Sequence, residues 1–224
     1  MPSPFASSRG QMFTPEEVAA RVEAVRARID ELGGSDVGIV AVTKGFGADA
    51  VLAARSAGLV DVGESYAQEV LEKAEVISEG SRLHFIGRIQ RNKVRKIAEY
   101  VDLWHSVARP EILVEIGKRR PGSTVLVQVR AGDDPTKDGV EPEAVGDMLE
   151  VAAESGVEVI GLMTIGVLGD ADATRDAFRT LRGLVDRHGL DHASMGMSGD
   201  YELAVAEGAT MLRLGSILFG PRPR

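Results

Sequence analysis

Val37-Gly38-Ile39-Val40-Ala41-Val42-Thr43-Lys44 is an apolar run of strand length, and the segment behind it, 48–57, has its apolar residues at helical spacing. The pairing recurs down the chain. Runs at 60–63, 83–86, 101–106, 124–129, 157–164 and 192–195 precede helix-like segments at 68–77, 92–100, 110–118, 143–153, 171–186 and 201–207. A last run, 211–214, leads into a short tail. Strict alternation implies parallel strands joined by crossover helices. Eight such units in about 200–250 residues have the size of a (β/α)8 TIM barrel. A doubly wound open sheet uses the same alternation and stays open on pattern alone.

Upstream, Thr14-Pro15-Glu16-Glu17 reads as a helix start, with Thr as N-cap, Pro in the first turn and Glu17 at capping-box spacing. Val18, Val22, Val25 and Ile29 then form one apolar face that ends before Gly33-Gly34. This extra N-terminal helix suits the outer-ring place that a truncated eighth unit leaves open. No composition shift or linker marks a boundary, so the expected organisation is a polar lead, 1–14, and one barrel domain, 15–224.

The chain has 224 residues with 26 basic and 34 acidic side chains, a formal charge of −8, which disfavours nonspecific nucleic-acid binding. It has no cysteine, which excludes disulfides, thiolate metal sites and cysteine nucleophiles. No run approaches the ~20 apolar residues of a membrane span, and Met1 to Gln11 lacks a basic start followed by an apolar stretch. The expectation is a soluble cytoplasmic protein with no metal, nucleic-acid or membrane partner.

In a barrel, functional groups come from the C-terminal ends of the strands. Lys44 ends the first run and shares a face with Val40 and Val42. Pointed inward, its ammonium lies partly desolvated at the mouth, which favours the nucleophilic amine. A snorkelling lysine at a strand end is the other reading of the same position. Two loops near the C-terminus, Ser194-Met195-Gly196-Met197-Ser198-Gly199-Asp200 and Arg213-Leu214-Gly215-Ser216, follow the seventh and eighth runs, where barrels commonly hold a phosphate. A lysine handle plus a phosphate cradle suits an aldehyde cofactor bearing a phosphate, such as pyridoxal 5′-phosphate.

These segments also resemble a known family. Ala41-Val42-Thr43-Lys44, Val62-Gly63-Glu64-Ser65-Tyr66-Ala67-Gln68-Glu69, His84-Phe85-Ile86-Gly87-Arg88-Ile89-Gln90-Arg91-Asn92-Lys93, Gly161-Leu162-Met163, Met195-Gly196-Met197-Ser198 and Arg213-Leu214-Gly215-Ser216-Ile217-Leu218-Phe219-Gly220 are similar to the YggS/PROSC pyridoxal phosphate homeostasis proteins. The match runs from about Pro15 to Pro221. It implies a fold like the N-terminal domain of alanine racemase, with Lys44 as the Schiff-base lysine. Met197, Ser198, Gly215 and Ser216 would hold the phosphate, with Arg213 near the pyridine nitrogen. An arginine there keeps its proton and disfavours protonating the ring, which limits carbanion chemistry.

Three positions depart from the family pattern: Ser65 where Asn is usual, Arg88 where Pro is frequent, and Gly45-Phe46-Gly47 in place of a more polar stretch. Pro135-Thr136-Lys137-Asp138-Gly139 resembles the family's mobile loop, so Lys137 reads either as a visitor to the cofactor or as a solvated lysine. His84, His105, His188 and His192 lack metal-ligand spacing. His84 and His105 read as core or rim packing, with lining of the mouth as the alternative. Asp133-Asp134 reads as a solvated turn, and the basic segment from Arg91 to Lys96 as a solvated helix face.

The resemblance implies a carrier that buffers and delivers pyridoxal phosphate without substantial turnover, contacting apo-enzymes transiently and acting as a monomer. An amino-acid racemase is the alternative. It would need acid/base groups on both faces of the cofactor, and Tyr66, Tyr100 and Tyr201 are the only tyrosines. One barrel also uses essentially the whole 224 residues, so no second catalytic domain is expected.

Overall fold

The structure, a computed structural model, describes residues 13–132 and 138–222. Lys137, the Asp133-Asp134 pair and the stretch from Met1 to Gln11 lie outside the described residues.

The chain runs α1 (Pro15–Glu31), β1 (Gly38–Val42), α2 (Ala48–Ser56), β2 (Asp61–Glu64), α3 (Ala67–Ser78), β3 (Arg82–Phe85), α4 (Arg91–Ile97), β4 (Leu103–Val107), α5 (Pro110–Arg119) and β5 (Thr124–Gln128). It continues through α6 (Val145–Glu154), β6 (Glu158–Met163), α7 (Ala171–Arg187), β7 (His192–Ser194), α8 (Tyr201–Ala206), β8 (Met211–Leu214) and α9 (Ser216–Phe219). The eight strands are parallel and close in chain order. Closure is decided by β1 against β8, paired from Gly38 with Met211 to Ala41 with Leu214, and it removes the open-sheet alternative.

The helix start at Thr14 forms as its sequence dictates. Thr14 Oγ1 accepts from the Glu17 amide at 3.2 Å, and the Glu17 carboxylate accepts from the Thr14 amide at 2.9 Å. Val18, Val22, Val25 and Ile29 are buried, and α1 packs on α2 and α9. Each such burial contributes about 1.5–3 kcal/mol, so a charge at Val22 would detach the helix. α1 thus fills the ring beside α9, which is a single turn.

Most boundaries fall within two residues of the pattern, and two differences are informative. α4 ends at Ile97 rather than Tyr100, and α6 is entered through a 3-10 turn, Pro142–Ala144, whose proline suits a first turn.

Apolar side chains divide between two regions. Most fill the layer between strands and helices, while Leu103, Leu126 and Met163 form a small separate cluster with Ile160 and Met211. Alternation along each strand sends every second side chain to the inner face. Much of the remaining inner face is polar: His84, His105, Ser194 and Arg213 are all buried.

Candidate functional site

Lys44 stands two residues beyond β1. A Cβ on Gly63 would meet Val40 at 3.1 Å, Ile86 at 3.3 Å and Val42 at 3.5 Å, so these residues share a face. Val40 also lies opposite Arg213 in register. Lys44 is half-buried, and among the described residues nothing hydrogen-bonds or ion-pairs with its ammonium. Burial lowers its pKa from 10.5, reinforced by the cations Arg222 and Arg213 and opposed by Glu64 and Glu69. This is the environment that favours a free amine.

The turn carrying Lys44 is clamped from behind. Lys73 Nζ donates to Glu64 Oε1 at 2.7 Å, to the Thr43 carbonyl at 2.9 Å and to Glu69 Oε2 at 3.1 Å. Thr43 Oγ1 donates to Glu64 Oε1 at 2.6 Å, and the Gly45 amide donates to Glu69 Oε2 at 2.8 Å. Gly45 has φ +79°, a region that other L residues rarely enter, so the turn depends on glycine here. Burial pushes the Glu64 carboxyl up to about 7 against the pull of Lys73 and Thr43. Lys73 was not legible as functional: four residues after Glu69 on a helix, it looks like one half of an exposed ion pair. Its only signal is its place on the apolar face of α3.

Arg213, on β8, is the other buried cation. Nη1 donates to Ser194 Oγ at 2.8 Å and Nη2 to the Thr164 carbonyl at 2.9 Å. Both acceptors are neutral, and among the described residues no carboxylate pairs with the guanidinium. Burial pulls Arg213 down to about 10, opposed by Asp200, and it stays charged at neutral pH. A buried charge is costly unless compensated, and most of its five donors are uncommitted.

Behind Arg213 lie the two histidines. His84 Nδ1 is 2.9 Å from His105 Nε2, and His105 Nδ1 is 3.1 Å from Ser194 Oγ. Neither lines the mouth. Both sit inside the barrel in a hydrogen-bonded row, so of the two readings core packing holds and mouth lining does not.

Between β7 and α8, and after β8, the loops approach one another. Ser198 Oγ accepts from the amides of Gly215 at 3.2 Å and Ile217 at 3.3 Å, so Ser198, Gly215 and Ser216 are gathered at one place. The Met197 amide donates to Asp200 Oδ1 at 2.5 Å, and the Met197 side chain is exposed. Gly196 has φ +90°, and a Cβ there would lie 2.5 Å from Ala204 and 2.8 Å from Leu212, so only glycine admits this turn. Amides converging on one hydroxyl oxygen form a donor set that suits an anion.

A cavity of about 540 Å³ opens across the mouth at the ends of β3 to β6, lined by Ile86, Arg88, Ser106, Gln128, Thr164 and Ile165 among others. It meets the Arg213 site at Thr164, but neither Lys44, Arg213 nor the Ser198 loop lines it. Arg88, one of the departures, ion-pairs with Asp138 at 3.0 Å on its rim. None of the tyrosines lines it; Tyr66 is exposed, and the Tyr201 hydroxyl reaches Glu202 at 3.4 Å. α4 buries Val94 and Ile97 and leaves its basic residues exposed, as a solvated face does.

The family described as "Alanine racemase, N-terminal domain" matches residues 15–223. A pyridoxal phosphate homeostasis protein of Pseudomonas aeruginosa is 40% identical over 220 residues, covering 92% of this chain and 96% of that one. The chain belongs to the pyridoxal phosphate homeostasis family. An Aquifex aeolicus member is 42% identical over 178 residues, covering 74% and 78%. Among solved structures, PipY of Synechococcus elongatus with PLP bound has a TM-score of 0.78 at 31% identity, covering 91% of this chain and all (100%) of that one. Alanine racemase from Corynebacterium glutamicum shares the fold at TM-score 0.73 and 16% identity, covering 93% of this chain and 62% of that one. Family membership thus agrees with the eight-unit barrel and with the motifs quoted from Lys44 to Gly220. Among the described residues there is no His, Asp or Glu group able to hold a metal, and no helix is long and apolar enough to cross a membrane.

Proposed function

We propose that this chain binds pyridoxal 5′-phosphate at the barrel mouth and acts in intracellular PLP homeostasis, buffering and delivering the cofactor without substantial turnover. Lys44 holds it as a Schiff base. The amides of Met197 and Gly215, exchanging their bonds to Asp200 and Ser198, and the hydroxyls of Ser198 and Ser216 hold the phosphate, and Arg213 faces the pyridine nitrogen. Residues 15–224 act as one cofactor-binding unit, monomeric and cytoplasmic, that meets PLP-dependent apo-enzymes transiently.

One observation carries this reading: Arg213 is buried with only neutral acceptors, within electrostatic reach of a half-buried, unpartnered Lys44. A ring nitrogen that accepts a hydrogen bond suits the uncommitted donors of Arg213. A phosphate suits the amides that now meet Ser198 Oγ. PLP-bound PipY, 31% identical, supports the same ligand. Bound there, pyridoxal phosphate supplies an aldehyde for amine capture and a ring able to delocalise negative charge. Arg213, a donor that keeps its proton at neutral pH, would disfavour protonation of a ring nitrogen beside it and so weaken the ring as an electron sink, which supports retention over turnover.

The test is transfer. Loaded protein mixed with a PLP-requiring apo-enzyme should restore its activity faster than spontaneous release into buffer allows. Deuterium exchange at the α-carbon of alanine should stay far below enzymic rates. Exchange at ordinary enzymic rates would make the protein a racemase and overturn the carrier reading.

A further inference from the structure

The interior row that ends on Arg213 continues to the opposite end of the barrel. His84 Nε2 lies 3.1 Å from Asp61 Oδ1, and Asp61 in turn accepts from Arg82 Nε at 2.6 Å and Nη2 at 2.7 Å. Asp61 and Arg82 are the first residues of β2 and β3, at the floor of the barrel, whereas Ser194 ends β7 at the mouth. Five side chains from five strands therefore connect floor to mouth: Asp61, His84, His105, Ser194 and Arg213. Four of them, His84, His105, Ser194 and Arg213, are at most 5% exposed.

With both rings neutral, the carboxylate at the floor fixes the direction of every hydrogen in the row. Arginine only donates, so Ser194 Oγ accepts from Arg213. An ionised carboxylate only accepts, so His84 Nε2 donates to Asp61. Burial would raise the Asp61 carboxyl, but the bonds from His84 and Arg82 bring it below its usual range. A neutral His84 that donates through Nε2 must accept at Nδ1, so His105 Nε2 donates to it. His105 then accepts at Nδ1, from the Ser194 hydroxyl. Burial above all, with the guanidinium of Arg213 nearby, holds His105 well below the ordinary histidine pKa, so it stays neutral. In this order Asp61, both rings and the Ser194 hydroxyl each find a partner, and the donors left over are those of Arg213.

We propose that Ser194, His105, His84 and Asp61 are positioning residues for Arg213: one donor-to-acceptor chain through the barrel interior that fixes its guanidinium for the cofactor ring nitrogen, so that a change at the floor is felt at the mouth. The role at the ring nitrogen rests on the PLP reading above; the chain and its direction do not. Buried polar networks of this kind specify one arrangement when every member is satisfied. Here the carboxylate at one end and the guanidinium at the other leave each histidine a single neutral tautomer.

Nitrogen-15 spectra of the histidine side chains, recorded without cofactor at pH 8, test the chain directly. Both His84 and His105 should be neutral and protonated at Nε2. Asp61→Ala, remote from the cofactor, removes the acceptor that sets the direction, so both rings should become tautomer mixtures. The same variant should weaken PLP retention about 3–10-fold, the range of one ordinary hydrogen bond, and shift the visible band of the bound cofactor. Arg82→Ala removes the exposed ion partner of Asp61 while keeping the acceptor, and should leave His105 unchanged. A His105 protonated at Nδ1 in the parent, or an Asp61→Ala protein with parental His105 signals and cofactor band, would overturn the proposal. If the parent takes up no PLP, the functional reading falls while the nitrogen spectra still decide the chain.

Discussion

Lys73 and Arg213 are both buried cations in the same barrel, and they are partnered in opposite ways. Lys73 spends its three donors on two carboxylates and a carbonyl, all within 3.1 Å. Arg213 spends two donors on a hydroxyl and a carbonyl, with Ser194 and Thr164 as its partners. In the first arrangement every donor of the cation is used and charge meets charge, with only Glu64 Oε2 left unpaired, and the product is a fixed turn behind Lys44. The second is held in place but uncompensated, which suits a ligand-facing group better than a structural one. Burial alone does not distinguish a scaffold charge from a working charge; the partners do.

The largest expected effect breaks the completed side. Lys73→Met leaves two carboxylates without their cation, Glu64 buried and Glu69 partly so, and should cost about 3–5 kcal/mol in urea unfolding of the cofactor-free protein. A loss under about 1 kcal/mol would mean that the cluster is not a stabilising clamp.

Arg213→Met sharpens the contrast. An uncompensated buried guanidinium exchanged for an apolar side chain should alter cofactor-free stability by no more than about 1 kcal/mol. PLP retention should fall at least ~10-fold, since about 1.4 kcal/mol of lost contact is a factor of ten. Equal losses in the Lys73 and Arg213 variants would erase the distinction.

A smaller effect, about 3–10-fold in retention, is expected for Ser198→Ala combined with Ser216→Ala, which removes hydroxyls but leaves the amides of the same loops. Unchanged retention would move the phosphate elsewhere.

The smallest effect is on Lys44 itself. Its folded pKa is lowered, so on raising the pH the folded chain releases this proton before the unfolded chain does. Between the folded pKa and 10.5 the unfolded state binds more protons, and Lys44's contribution to stability rises with pH there. Below the folded pKa its burial penalty is present in full. With a limiting amine-acylating reagent at pH 8, peptide mapping should find Lys44 modified faster than exposed lysines. Arg213→Met, by removing a neighbouring cation, should slow that reaction modestly.

The barrel was legible because its cause is periodic. Alternating apolar runs and helical faces repeat through the chain, and the Thr14 cap and the Val18-to-Ile29 face need only local chemistry. Lys44 was legible for the same reason, since strand alternation from Val40 places it. The Glu64–Lys73 contact was hidden because it joins β2 to α3 across the layer, and no local pattern separates it from a solvated pair. His84 and His105 were underread for a related reason. They lie 21 residues apart, near the middle of consecutive strands, so their meeting depends on barrel closure and register. Glycines at 45 and 196 were visible as letters, but their necessity comes from positive φ and, for Gly196, from the crowding of Ala204 and Leu212.

Lys44 as the amine that holds pyridoxal phosphate is put to the test by incubation with the cofactor, reduction with borohydride and peptide mass mapping. One pyridoxyl-phosphate adduct is expected, on Lys44, with loss of the visible band in Lys44→Ala. An adduct confined to another lysine, or a Lys44→Ala protein that keeps the band, would contradict it.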